Sequence, residues 1–462
     1  MSVSISEFII EELWGYQTLR IPIKDNRFVL VGENGTGKST VANLIYFFLT
    51  CQWQKINDFD FKAIALVINR EKLSIPKENL NNDLGTWKQY TQYEKIKNII
   101  MEYPNFSEDD IPKYLKDENK LKSLSNKLSS SISWRRVRDT LIRMEKEKLY
   151  SSNTILEKVD STIKKIVKAQ ILYLPTYRRI EQEFKEIFPE LYERKLSKRK
   201  TQKDYVELVE FGMEDVEQTI NEKMNNLKDS IRNRLENLTG TYLSDVISKV
   251  YKQVNIEELK DLDNETVESI FSRIDEKILS EKEKEELRNM LEKVNNEGKI
   301  EEDQKVIAHF LLKLLKWHKE QQEQEQEIRN FVNVCNQYLV NKEIRYDNIK
   351  LRIDIISNRQ KIHSDKNNQE SDKQKIELKM LSSGEKQIVS LFSHLYLSDK
   401  SDYFVIIDEP ELSLSVPWQK RFLPDILNSE RCKGLIAVTH SPFIFDNELD
   451  SYTHSLSEFI DN

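Results

Sequence analysis

Gly32-Glu33-Asn34-Gly35-Thr36-Gly37-Lys38-Ser39-Thr40 fills every fixed position of a G-x-x-x-x-G-K-[ST] loop. Glycines let backbone N–H groups turn inward toward a phosphate chain, and a following helix adds partial positive charge beneath it. In such a loop Lys38 reaches the β- and γ-phosphates and the Ser39 hydroxyl ligates Mg²⁺. Residues Glu33, Asn34, Gly35, Thr36, Gly37, Lys38, Ser39 and Thr40 are therefore expected to contact a nucleoside triphosphate. Only ten of 462 residues are glycine, and three of them sit in this loop. The bland alternative is a chance glycine turn before a helix.

The elements needed to position these groups are legible on both sides. Arg27-Phe28-Val29-Leu30-Val31 reads as a strand entering the loop, and Val41 to Leu49 as a helix leaving it. Near the other end, Tyr403-Phe404-Val405-Ile406-Ile407 and Gly434-Leu435-Ile436-Ala437-Val438-Thr439 are almost wholly apolar, as central parallel strands are when both faces are covered. Asp408-Glu409 ends the first of them, where a carboxylate can hold Mg²⁺ (Asp408) and its neighbour can orient or deprotonate the attacking water (Glu409). By themselves, two acidic residues before Pro410 could equally open a turn. His440 follows the second strand, within reach of a γ-phosphate, although a lone His there is more often structural.

Leu381-Ser382-Ser383-Gly384-Glu385-Lys386-Gln387 precedes an apolar helix, Ile388 to Leu397, and offers a second anion-binding turn. A simple helix cap is the alternative, and Ser383 with Lys386 makes no capping box. One nucleotide does not need two phosphate nests. The second makes sense if it serves the nucleotide of another subunit.

The rest of the chain bounds the architecture. Apolar residues make up 38% and charged residues 32%, too polar for one large core and suited to a globular core with long solvated helices. The net charge of −7 offers no global attraction for nucleic acid. Cys51, Cys335 and Cys432 lie far apart, form no metal spacing and read as reduced thiols of a cytoplasmic protein. No apolar run approaches the ~20 residues of a membrane helix.

Short strands are expected over Ser4 to Leu13, Tyr16 to Ile23 and Phe28 to Val31. Ala63 to Ile68 and Lys72 to Ile75 read as a hairpin around Asn69-Arg70-Glu71, and Gln170 to Pro175 as a buried strand. Residues 86–167 read as polar helices. From 181 to about 338, leucines and isoleucines at helical spacing in Val216 to Leu238 and Val306 to Val332 predict a helical insertion with a short antiparallel coiled-coil arm. Glu320 to Glu327 reads as a solvated helix face, and 364–375 as a flexible loop.

Together these motifs resemble the ABC-type ATPases. Leu381 to Gln387 is similar to their LSGGQ signature, Tyr403 to Glu409 to Walker B with its catalytic glutamate, Glu411 to Ser415 to the D-loop, and His440 to the switch histidine. The resemblance implies ATP and Mg²⁺ as ligands. Lys38, Glu409 and His440 are the expected catalytic residues, and Ser39 and Asp408 the metal ligands. It also implies that Ser382, Ser383, Gly384 and Glu385 close on the loop of another subunit, so a homo-oligomer (a dimer, or a multiple such as a hexamer). Lys38 and Ser382 stand 344 residues apart, a separation that resembles the SMC, Rad50, RecF and OLD group rather than transporter ATPases.

The segments Glu409 to Leu414 and Thr439 to Asp446 are most similar to OLD-type and RecF-type proteins, and within them to the ATPase subunits of anti-phage systems, PtuA of Septu and AriA of PARIS. Ser415 departs from the usual D-loop histidine. Gln170 and Gln182 are the candidates for a Q-loop glutamine.

The fold expectation is α/β: an ABC-type P-loop domain, a mixed sheet plus an N-terminal antiparallel β lobe, interrupted by a large helical insertion. Boundaries are expected at 1–180, 181–345 and 346–462. A chain that ends 22 residues past His440 has no place there for a Toprim domain, and no nuclease cluster stands out in the insertion. The resemblance thus implies a regulatory ATPase controlling a separate nuclease of HNH or Toprim type. A RecF- or Rad50-like ATPase that clamps DNA is the alternative. Arg194, Lys195, Lys198, Arg199, Lys200 and Lys203 put six basic residues into ten positions, a candidate DNA or RNA contact or simply a solvated surface. Arg135, Arg136 and Arg138 beside Trp134 form a smaller cluster.

Overall fold

The protein is described from a computed structural model, which covers residues 3–104, 106–128, 132–147, 154–175, 205–207, 213–253, 259, 264–272, 279–297, 304–358, 374–399 and 402–461. The basic run at 194–203 and Gln182 lie outside the described residues. The chain forms two compact units, Met1–Val209 with Ser401–Asn462, and Glu210–Lys400. These boundaries differ from the expected ones. Residues 346–400, signature segment included, group with the helices of the insertion.

In the first unit, β1 (Ile5–Leu13), β2 (Gln17–Pro22) and β3 (Arg27–Val31) lead into α1 (Lys38–Leu49) and a short α2 (Trp53–Ile56). The hairpin of β4 (Ala63–Ile68) and β5 (Glu71–Pro76) reverses at Asn69 and Arg70, with φ of 50° and 70°. Two successive left-handed residues match the twist of the flanking strands. Helices α3 (Lys77–Met101), α4 (Ile111–Leu115), α5 (Glu118–Leu128), α6 (Trp134–Glu147) and α7 (Ile155–Ile166) follow, then β6 (Gln170–Leu174) and β7 (Tyr205–Glu207). Helices α3 to α6 bury a small core of their own, including Tyr93, Ile100, Leu121, Leu124, Val137 and Leu141.

The second unit holds α8 (Met213–Ile247), α9 (Asn264–Phe271), α10 (Glu281–Glu297), α11 (Lys305–Asn336), β8 (Lys342–Asp347), β9 (Arg352–Ser357), β10 (Gln374–Ile376) and α12 (Ser383–Leu397). Lys223 bonds Glu327, Arg234 bonds Glu320, and Asp245 bonds His309, so numbers rise on α8 as they fall on α11. The two helices are an antiparallel pair, each roughly 50 Å long at 1.5 Å per residue. Glu320 to Glu327 is only partly a solvated face. Gln321 and Glu325 are buried, and Glu325 accepts bonds from Gln321 and Arg329. Of the expected loop at 364–375, residues 364–373 lie outside the described residues, and 374–375 belong instead to the strand that pairs with β9.

The chain then returns to the first unit as β11 (Tyr403–Asp408), α13 (Val416–Leu427), β12 (Cys432–Thr439), β13 (Thr453–Ser455) and β14 (Ile460–Asp461). Six parallel strands run in the order β13-β3-β12-β11-β6-β7, and a separate antiparallel sheet runs β14-β2-β1-β4-β5. One core joins both sheets through α1, with Phe8, Phe48, Trp53, Ile406 and Val438 among its members. Every residue of β11 is buried, which is why that strand reads as uninterrupted apolar sequence before Asp408. Among the described residues, no helix is long and apolar enough to cross a membrane.

Candidate functional site

Three neighbouring parallel strands deliver the site. In register, Val31 of β3 stands beside Thr439 of β12, and Val438 beside Asp408 of β11. The glycine loop, Asp408-Glu409 and His440 therefore leave the same edge of the sheet, the carboxyl ends where open α/β sheets bind ligands. Gln170 pairs with Tyr403 at the opposite end of its strand. The sheet thus places it away from this edge, correcting its candidacy as the Q-loop residue.

The loop takes a shape that needs its glycines. Gly35 and Gly37 sit at φ of 81° and 97°, and Gly37 ends the loop at the first turn of α1. Glu33, Asn34, Gly35 and Thr36 form an exposed rim, whereas Lys38 is only 4% exposed. The Lys38 ammonium donates to the Glu33 carbonyl at 2.6 Å, so it is folded back along its own loop. Burial pulls the Lys38 pKa below its ordinary 10.5, against the opposing pull of Asp408, Glu409 and Glu411. An incoming phosphate compensates that desolvation.

The Ser39 hydroxyl donates to Asp408 Oδ1 at 3.0 Å. Hydroxyl and carboxylate are hard oxygen ligands, the kind Mg²⁺ takes in ones and twos beside substrate phosphates. Among the described residues no cluster of three or more His, Cys, Asp or Glu side chains could hold a metal ion by itself. That donor set fits Mg²⁺ arriving with a nucleotide. Glu409 follows with φ of 52°, its N–H tied to the Val438 carbonyl at 2.8 Å and its carboxylate 3.7 Å from His440 Nε2. Both side chains are partly open, at 23% for Glu409 and 30% for His440. Water can reach them.

Two residues with clear roles here are not evident from the sequence. Glu411 accepts from the Thr439 hydroxyl and from the His440 backbone N–H, both at 2.7 Å. Gln419 accepts from the Ser441 hydroxyl at 2.6 Å and donates to the Leu414 carbonyl at 2.9 Å. The loop after β11 is thus tied twice to the turn that carries His440. Trp14 is a third addition. A Cβ on Gly37 would stand 2.4 Å from its Cη2, so the indole lies directly against the loop. Tyr16, 77% exposed, lies 6.2 Å from Trp14 ring to ring.

The signature segment belongs to the second unit. Ser382 and Ser383 are exposed there, Gly384 and Glu385 buried. The helix cap is not Ser383 but Ser382, whose side chain accepts from the Glu385 N–H while the Glu385 carboxylate accepts from the Ser382 N–H. This is a complete capping box, one residue before the Ser383–Lys386 pair. The same carboxylate accepts from Lys342 at 2.6 Å.

A profile of the AAA ATPase domain family matches residues 4–445. The chain belongs to this family. Membership makes it an ATPase. No curated protein matches the chain. Among solved structures, it is similar to the Smc head domain with an extended coiled coil, bound to the C-terminal domain of ScpA, from Pyrococcus furiosus. Identity is 14% over 96% of this chain and 91% of that one, with a TM-score of 0.34. The Smc head domain with a coiled coil and joint from Pyrococcus yayanosii shares 13% identity over 96% and 93%, with a TM-score of 0.32. Both superpositions are loose.

Proposed function

We propose that the protein is an ABC-type ATPase of the SMC and RecF group that closes as a sandwich dimer on ATP and Mg²⁺, and that it regulates a separate nuclease within an anti-phage complex. The observation that carries the ATPase site is the 3.0 Å bond between Ser39 and Asp408, because it joins the two halves of an Mg²⁺ site drawn from distant parts of the chain. In this reading the loop N–H groups and Lys38 take the phosphates, Lys38 exchanging the Glu33 carbonyl for a phosphate oxygen. Ser39 and Asp408 are the residues that would hold Mg²⁺, which would supply charge neutralisation to the phosphates. Glu409 orients the attacking water and accepts its proton, and His440 stands at the same edge to contact the γ-phosphate. Trp14 and Tyr16 supply an apolar aromatic surface beside the loop against which a nucleobase can stack.

The exposed Ser382 and Ser383 are the surface a second copy would present to that nucleotide. Ser383→Arg should abolish ATP-dependent dimerisation while leaving ATP binding by the monomer intact, read by light scattering with non-hydrolysable ATP. Dimerisation unchanged by Ser383→Arg would remove the sandwich from the proposal.

The regulatory role is supported by the likeness of Glu409 to Leu414 and Thr439 to Asp446 to the defence ATPases. Its test is phage plating on cells carrying this gene with its neighbouring gene. Protection that needs both genes, and that Glu409→Gln alters, is the expected result. Protection by this chain alone, or none with either, would refute the role.

A further inference from the structure

We propose that helices α4, α5 and α6 form a binding face for single-stranded nucleic acid, with phosphates on their lysines and arginines and an unpaired base in a tyrosine-lined cavity. From Ile111 to Glu147, the span of α4 to α6, there are ten basic residues against five acidic ones, in a chain whose net charge is −7. The field is therefore local, set against the sign of the whole. The helices that carry it have their own core, in which Leu121, Leu124 and Val137 are buried, so the basic side chains are pushed outward and held on a fixed frame. Lys113 is 71% exposed and Lys120 59%. Lys113 is partnered by Asp110 at 2.6 Å and Lys120 by Asp117 at 4.0 Å, whereas Lys127 and Arg136 have no carboxylate partner among the described residues.

Lys113, Lys120 and Lys127, with Tyr103, Tyr114 and the Asp110 that pairs with Lys113, line a hollow of about 360 Å³. A hollow with two phenol rings and three ammonium groups has what an unpaired nucleotide needs, a π face for the base and cations for the phosphates on either side. A paired base has no free face to insert. The surface therefore fits a single strand. Nothing in it distinguishes DNA from RNA, so the test includes both.

The experiment uses full-length protein and fluorescein-labelled 20-nucleotide single strands of DNA and RNA, with the duplex of the same sequence, in anisotropy titrations at several salt concentrations. One or both single strands should bind more tightly than the duplex, with affinity falling as salt rises. K113E/K120E/K127E should weaken binding by about tenfold or more, and replacing the same lysines with glutamine should flatten the salt slope by about two, at ~0.7 for each lysine removed from a phosphate. Tyr114→Ala should lower affinity about fivefold without changing that slope, as a stacking interaction does. None of these residues belongs to the ATP site, so unchanged ATP turnover shows that the variants fold. Duplex binding as tight as single-strand binding would overturn the proposal. So would full binding by the lysine variants, with weakening only on charge reversal of Arg194, Lys195, Lys198, Arg199, Lys200 and Lys203.

Discussion

The carboxylate of Glu411 holds the backbone N–H of His440 at 2.7 Å and takes the Thr439 hydroxyl on its other oxygen. One anion therefore fixes the end of β12 to the loop that follows β11. Hydrogen bonds to charged groups contribute about 1.5–3 kcal/mol each. Glu411 makes both to the end of β12 and the turn after it, so we assign it the work of holding His440 in place. Glu411→Gln puts an amide N–H₂ against one of these donors. We expect kcat for ATP to fall about tenfold with KM nearly unchanged, and Glu411→Asp to recover part of the loss, by steady-state phosphate release. A rise in KM with kcat intact would contradict the assignment.

In the proposed mechanism Glu409 acts on water rather than binding ATP. Glu409→Gln should leave ATP affinity within a factor of about two and slow turnover by about 10²–10⁴, the usual contribution of a general base. Equilibrium binding of a fluorescent ATP analogue and single-turnover hydrolysis separate the two effects. Normal turnover in this variant would show that the base lies elsewhere.

Gly37 is constrained twice, by its φ of 97° and by the Trp14 ring. A left-handed conformation costs a non-glycine residue about 1–3 kcal/mol. Gly37→Ala should therefore lose most ATP binding. The double variant Trp14→Ala/Gly37→Ala should recover only a little, because removing the ring does not relieve the backbone. Isothermal titration of both variants with ATP checks this, and wild-type affinity in Gly37→Ala would rule it out.

Glu385 predicts a pH dependence. Burial alone would raise its pKa, but the bonds from Lys342 and Ser382 outweigh it and hold the carboxyl below the ordinary 4.5. A carboxylate whose pKa is lower folded than unfolded stabilises the fold above the unfolded value, and that stability is lost as pH falls through the folded one. Glu385→Gln should thus destabilise the second unit by about 1–3 kcal/mol at pH 7, a gap that closes as pH drops below 4.5. Urea midpoints at pH 7 and at acid pH measure it. A gap that persists in acid would assign the effect to packing.

The parts legible in the sequence are those whose physics is local. A glycine loop between a strand and a helix, or a carboxylate ending an apolar strand, carries its geometry within a few residues, and Ser39 and Asp408 meet as their types imply. Pairings between distant segments are hidden. Glu411 lies only two residues from Glu409, yet its partners come from another strand and the turn after it, and Trp14, in the turn between β1 and β2, meets Gly37 at the start of α1. An acidic residue just past Asp408-Glu409 is the one signal available for Glu411. Glu325 misleads because alternating Gln and Glu reads as solvated, while the Arg329 and Gln321 that neutralise its burial sit one turn away on the same helix. The cap at Ser382 is readable as Ser followed three positions later by Glu.

The strand order has a consequence for how the molecule is made. β3 and β6 are both finished early in synthesis, but the strands that lie between them, β11 and β12, begin only at Tyr403 and Cys432. At about 5–20 residues per second, roughly ten to fifty seconds pass between β6 and β11. During that interval the chain of the second unit emerges, while Asp408, Glu409 and His440 have not yet been made. A nascent chain on the ribosome is therefore unable to complete the parallel sheet until its final strands are translated, and β3 waits through that time for its partners β12 and β13.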